Sequence, residues 1–210
     1  MKLYLSSYRL GNNPEKLVGL FSYNKKIAVI ANAMDFVKNP DREESVIQEI
    51  DDLKSLGLYP EELDLRDYLG KQKDLSKKIN KYGAVWARGG NTFILRRVMA
   101  QSGFDEILRQ KNKDNNFVYA GYSAGVCVIT PTLHGLEIVD DPNVIPAGYN
   151  PEVIWDGLGI IDFSIAPHYK SDHPEAEVVD RTVKYFVEHN MPFKTLRDGE
   201  TIIKETTISS

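Results

Sequence analysis

A serine between two glycines, four histidines and a late aspartate carry most of the chemistry this sequence can offer. Gly121-Tyr122-Ser123-Ala124-Gly125 follows the apolar run Phe117-Val118-Tyr119-Ala120 and precedes Val126, Cys127, Val128 and Ile129. A strand that turns at once into a helix strains the residue at the turn, projects its side chain into open space and aims the next amides the same way. Small neighbours avoid clashes where the helix crosses the strand. Those amides also sit at a helix N-terminus, which favours developing negative charge. The pattern marks Ser123 as a nucleophile, set against the blander reading of a glycine turn holding a hydrogen-bonded serine.

Serine is a poor nucleophile at neutral pH and needs a general base. His189 closes a predicted helix before Asn190 and Pro192, where it complements the helix dipole. His134 lies eleven positions after the serine (134 − 123 = 11), at the far end of the nucleophile helix or beyond it. His168 ends the strand Ile165-Ala166-Pro167 and is expected on the same edge as Ser123. His173 is either a helix-start residue or a substrate contact. A His168/Asp172/His173 metal site is conceivable, but no further ligand spacing supports it. The base in turn needs an acid to fix its tautomer. Asp198 follows the strand run Phe193 to Leu196 and precedes Gly199; Glu200 is its nearest competitor. Glu137, Asp140 and Asp141 also follow the serine, in an irregular stretch that suits solvent-facing carboxylates equally well. For a second oxyanion donor beside the Ala124 amide, Gly89-Gly90-Asn91-Thr92 is the best candidate, since glycines let backbone amides approach a ligand. Read instead as a phosphate-binding turn, it lacks the lysine of a P-loop.

Short apolar runs alternate with amphipathic segments, and these must position the candidates. Strands are expected at 27–31, 63–65, 84–87, 117–120, 160–166, 193–196 and 201–204, with another at the N-terminus. Helices are expected from Asp41, a plausible N-cap, to Gly57, over 74–82, after Thr92, over 104–111, and over 174–188 with Pro174 at its first position. The alternation predicts an α/β fold whose mostly parallel sheet is covered on both faces, with strand C-termini gathered on one edge. Residues 136–159 read as a long loop, a lid or binding loop that restricts the pocket to short substrates. Residues 206–210 read as a frayed tail.

No linker or repeat divides the chain, so residues 1–210 are expected to form a single domain. The net charge of −4 carries no basic excess, which argues against a nucleic-acid partner. A lone Cys127 excludes an intrachain disulfide and fits a reducing compartment. The apolar start Met1 to Leu5 is too short for a signal peptide, and no stretch approaches the roughly 18 apolar residues of a membrane span, so a cytoplasmic protein is expected.

Four motifs, Arg88-Gly89-Gly90-Asn91-Thr92, Gly121-Tyr122-Ser123-Ala124-Gly125, Pro167-His168-Tyr169 and Leu196-Arg197-Asp198-Gly199, together resemble the peptidase E (aspartyl dipeptidase) and cyanophycinase family of serine peptidases. They span about Ala84 to Glu205, more than half the chain. The resemblance implies a three-layer α/β/α fold like that of class I glutamine amidotransferases, with serine in place of their cysteine. It implies Ser123 as nucleophile, His168 as base and Asp198 as orienting acid, with Gly90 and Ala124 supplying oxyanion amides and Asn91 shaping the pocket; Gly89 stays a candidate of the same oxyanion and substrate-binding stretch. It implies a short peptide substrate and requires no metal or organic cofactor. Two departures stand out. The acid position in peptidase E looks like Glu. The helix after the histidine looks like Glu-Thr-Arg-Glu-x-Arg in aspartyl dipeptidases, whereas here it reads Glu175-Ala176-Glu177-Val178-Val179-Asp180-Arg181. One arginine is replaced, which puts a preference for N-terminal aspartate in question, while Arg181 is left to contribute. An esterase or other acyl hydrolase with the same triad, and a non-catalytic binding module, are the rival readings. The oligomeric state stays open, a homodimer included.

Overall fold

In the computed structural model, which describes residues 1–205, the fully buried runs Ala84–Ala87 (β4) and Val118–Tyr122 (β5) form the middle of a six-stranded sheet. The expected tail over 206–210 lies outside the described residues. The other strands of this sheet are β1 (Lys2–Ser6), β2 (Lys26–Ile30), β3 (Tyr59–Glu62) and β8 (Thr201–Glu205), in the order β3-β2-β4-β5-β1-β8. All neighbours pair in parallel except β8, which runs antiparallel to β1.

Strand alternation separates two apolar faces. Leu3, Leu5, Ala28, Ile30, Val85, Ala87 and Tyr119 belong to one buried cluster. Against it pack α3 (Gln72–Ile79), α4 (Thr92–Ser102), α5 (Phe104–Lys111), the short α6 (Ala124–Cys127) and α7 (Ala176–Glu188). Tyr4, Ile27, Val29, Trp86, Ala120 and Tyr122 face the other way, toward α1 (Glu15–Gly19) and α2 (Asp41–Ser55). The three layers match the expected α/β/α architecture.

Several boundaries differ from the sequence reading. The strand expected at 63–65 is β3, four residues earlier, paired from Lys26↔Tyr59 to Val29↔Glu62. An edge strand tolerates its Pro60 and two glutamates, which masked it. Asp41 is the first residue of α2 rather than its cap; Pro40 precedes it and no side chain caps the turn. Helix α7 starts at Ala176, two residues after Pro174. Of the long runs expected as strands at 160–166 and 193–196, only β6 (Ser164–Ala166) and β7 (Phe193–Thr195) form, and they pair with each other in a separate two-stranded parallel sheet.

The long loop is fastened rather than free. The buried Arg97 of α4 donates from Nη2 to Pro142 O (2.7 Å) and from Nε to Glu152 O (3.0 Å), which ties together two carbonyls ten positions apart (152 − 142 = 10) within the segment. Tyr149, from the same loop, is buried and donates to the Asp35 carboxylate. Among the described residues, no helix is long and apolar enough to cross a membrane.

Candidate active site

Ser123 ends β5 with φ 48° and ψ −117°, and α6 begins at the next residue. Positive φ is costly for a residue with a Cβ and persists only where the surroundings impose it. Here the imposition is visible. A methyl group on Gly121 would lie 2.4 Å from Ala87 O, and one on Gly125 only 2.1 Å from it. The glycines let the chain fold tightly against β4, and the serine between them takes the strain. Helix α6 is a single turn, shorter than the apolar run Val126 to Ile129 suggests.

The amides around this turn are open. Among the described residues, neither the Gly90 nor the Ala124 N–H donates a hydrogen bond. Gly90 has φ 140°, and a methyl group there would lie 2.5 Å from Ala33 O. Gly89 packs beside Ser123: a methyl group on it would lie 3.0 Å from Ser123 Cβ. Asn91 serves the backbone instead. Its side chain caps α4 by accepting from Phe93 N (2.9 Å) and Ile94 N (3.0 Å), and it donates to Asp141 O (2.9 Å).

His168 follows β6 by one residue, is 1% exposed and has φ 61°. Its Nδ1 lies 2.7 Å from Asp198 Oδ1. Asp198 follows β7, so the two-stranded sheet presents both partners. Glu200 is occupied elsewhere: its carboxylate accepts from Arg197 N (2.8 Å) and closes the turn.

One residue that the sequence reading missed ties the two sheets together. Ser7, just past β1, accepts from the Ser123 N–H through its carbonyl (3.2 Å). Its hydroxyl accepts from the His168 N–H (2.8 Å) and donates to Asp198 Oδ1 (2.9 Å). Ser171 adds a second support, its hydroxyl accepting from the Asp198 N–H (2.8 Å). The signal for Ser7 was nonlocal, since only the pairing of β1 with β5 sets it beside Ser123.

The rings above the site are closely packed. His173 stacks on His168 with centroids 3.7 Å apart and planes 10° from parallel, and Tyr8 meets both edge-on. His173 Nδ1 accepts from Glu175 N (3.2 Å). Burial, and then the neighbouring His173, hold the His168 imidazole below the usual histidine range, against the opposing pull of Asp198. This favours the unprotonated form of the ring. His168, His173 and Asp198 bring one candidate metal-ligand atom each within 4.8 Å of one another, whereas Asp172 is exposed. One nitrogen of each ring is already engaged, His168 Nδ1 with Asp198 and His173 Nδ1 with the Glu175 N–H.

Other candidates fall outside the site. Arg181 is exposed on α7, whose buried face is Val179, Thr182 and Phe186. At about 100° per residue, position 181 turns away from that stripe, so Arg181 does not join the site. His134 stacks on Trp155 (4.6 Å), and His189 on Tyr185 (3.9 Å). Asp140 faces inward instead of toward solvent: it accepts from Thr92 N at the start of α4 (2.8 Å), and burial pushes its carboxyl up to about 6.

A mostly parallel α/β sheet with a strained serine at a strand-to-helix turn, and a histidine–carboxylate pair tied to it through Ser7, has the geometry of the nucleophile-elbow class of α/β proteins. Within that class the chain belongs to peptidase family S51, whose family model matches residues 15–208. It is 30% identical over 132 residues to an uncharacterized peptidase of Listeria monocytogenes, Lmo0363, covering 62% of this chain and 60% of that protein. It is 29% identical over 141 residues to a Drosophila melanogaster protein named "Probable alpha-aspartyl dipeptidase", covering 64% and 55%. These matches thus span under two thirds of the length of those relatives. A crystal structure of a Listeria monocytogenes EGD-e protein described as a peptidase E superposes with a TM-score of 0.71 at 23% identity, covering 98% of both chains. A peptidase from an acI-B1 actinobacterium superposes with a TM-score of 0.69 at 15% identity, covering 97% of this chain and 83% of the other. Both share the α/β fold expected from the sequence.

Proposed function

We propose that the protein is a serine peptidase that hydrolyses the amide bond of a short peptide, a dipeptide above all, through an acyl-enzyme on Ser123. The observation that carries this reading is the Ser7 bridge, which joins the backbone of Ser123 to the His168–Asp198 pair. Asp198 holds the proton on His168 Nδ1 and leaves Nε2 as the base. As Ser123 Oγ attacks the carbonyl carbon, its proton passes to Nε2. The Gly90 and Ala124 amides, which have no other acceptor among the described residues, receive the oxyanion. Collapse of the tetrahedral intermediate expels the amine, which takes the proton from His168. Water then attacks the ester, giving its proton to His168, and Ser123 regains a proton as the acid leaves. The low proton affinity of His168 suits this cycle, since the base is neutral when substrate arrives. Membership of family S51 and the dipeptidase name of one relative favour short peptides. The single, buried Cys127 fits a reducing, cytoplasmic setting.

A dipeptide library and a matching set of aminoacyl esters, screened with wild type and Ser123→Ala side by side, test the reading. Dipeptide hydrolysis that falls at least about a thousandfold in the variant is expected. Turnover of esters alone would make the protein an esterase, and no turnover of either would make it a binding module.

A further inference from the structure

A cleft walled by α2 contains a cation that the mechanism above does not use. Arg88 follows β4 and immediately precedes Gly89, so it lies one residue from the pair of glycines beside the nucleophile. It borders a cleft of about 540 Å³ together with Met34, Val37 and, from α2, Asp41, Glu44, Ser45 and Gln48. Its side chain is only 17% exposed. The guanidinium is anchored on one side: Nη1 donates to Gly89 O (2.9 Å), and Nε lies 3.4 Å from Glu49 Oε1. Glu49 is itself engaged, accepting from Trp86 Nε1 (2.7 Å) and from the Tyr122 hydroxyl (2.6 Å). Among the described residues, Arg88 Nη2 has no hydrogen-bond partner, and Arg88 Nε and Ser45 Oγ are buried without one. An anchored, shielded arginine with one edge unfilled is prepared for an anion, and the planar fork favours a carboxylate.

We infer that Arg88 receives the free C-terminal carboxylate of the substrate, which selects dipeptides over longer or capped chains. The inference rests on the peptidase reading above. The residue that carries this carboxylate is the one that leaves as amine in the first step. The rim of the cleft adds a second preference. Asp41 and Glu44 are exposed there, so a neutral or basic side chain on that residue is accepted, and an acidic one is repelled.

The test compares kcat/KM for a good dipeptide and for the same dipeptide with a C-terminal carboxamide. Wild type is expected to favour the free acid about ten- to hundredfold, the range of a charge-assisted contact. Arg88→Gln is expected to bring the ratio near one, and Arg88→Lys to leave it intermediate. Equal use of acid and amide by wild type, or a ratio that persists in Arg88→Gln, overturns the assignment while the peptidase reading stands. A second measurement needs no Arg88 variant. In the Ser123→Ala protein, the dipeptide acid is expected to shield Arg88 from phenylglyoxal and the amide is not; equal modification with both overturns the inference. If wild type cleaves no peptide, the peptidase reading fails, and the protection experiment still decides whether Arg88 holds a carboxylate.

Discussion

The serine and the histidine reach one edge from two sheets built by different means. Ser123 leaves the centre of a six-stranded sheet, and its strained backbone is set by close packing of Gly121 and Gly125 against Ala87. His168 leaves a three-residue strand of a two-stranded sheet, and its backbone N–H is held by the Ser7 hydroxyl. The first half is rigid because nothing else fits. The second is positioned by polar contacts that one substitution can remove. The comparison teaches that the turn at Ser123 is set by close backbone packing, whereas His168 and Asp198 are held by the side-chain hydroxyls of Ser7 and Ser171. Ser7 lies 161 positions from His168 and 191 from Asp198.

Substitutions break this contrast to graded extents. The largest effect is expected at Asp198. Asp198→Asn keeps the shape but favours the wrong imidazole tautomer, and kcat should fall about a thousand- to ten-thousandfold with little change in thermal melting. Gly125→Ala drives a methyl group into Ala87 O, so the nucleophile half should be destabilised by about 2–3 kcal/mol or more in a denaturant titration. Ser7→Ala leaves the buried His168 N–H without its acceptor and frees one Asp198 contact; kcat/KM should drop about ten- to hundredfold while the Ser123 turn is retained. The smallest effect is a pH shift. Burial and His173 both disfavour the imidazolium of His168, and Asp198 and Glu175 oppose them. His173→Asn removes the stacked imidazole that disfavours the His168 imidazolium, so His168 should gain a proton more readily. The acid limb of kcat/KM should then move to higher pH by up to about one unit. An unmoved limb would detach His173 from the base.

The strand-to-helix turn at Ser123 was legible because its signs are local: an apolar strand, two glycines and a serine. The sequence also placed His168 and Asp198 at strand ends. It did not show that β6 and β7 form their own sheet, since three-residue strands carry too little pattern to assign partners. Ser7 was invisible, because a serine after a strand has no signature until β1 is known to lie beside β5. Asp140 looked like one more loop carboxylate, and only the tethering of that loop by Arg97 and Tyr149 turns it toward α4. Arg181 was the reverse case. The spacing of Val179, Thr182 and Phe186 already pointed it outward, but the motif resemblance drew it toward the site.

The central claim is that Ser123 is made nucleophilic by His168. A fluorophosphonate followed by intact mass and peptide mapping tests it most directly. The account predicts one adduct per chain, on residue 123, formed at least about a hundredfold more slowly in His168→Gln. An adduct on another residue, or an equal labelling rate in the two proteins, would contradict it.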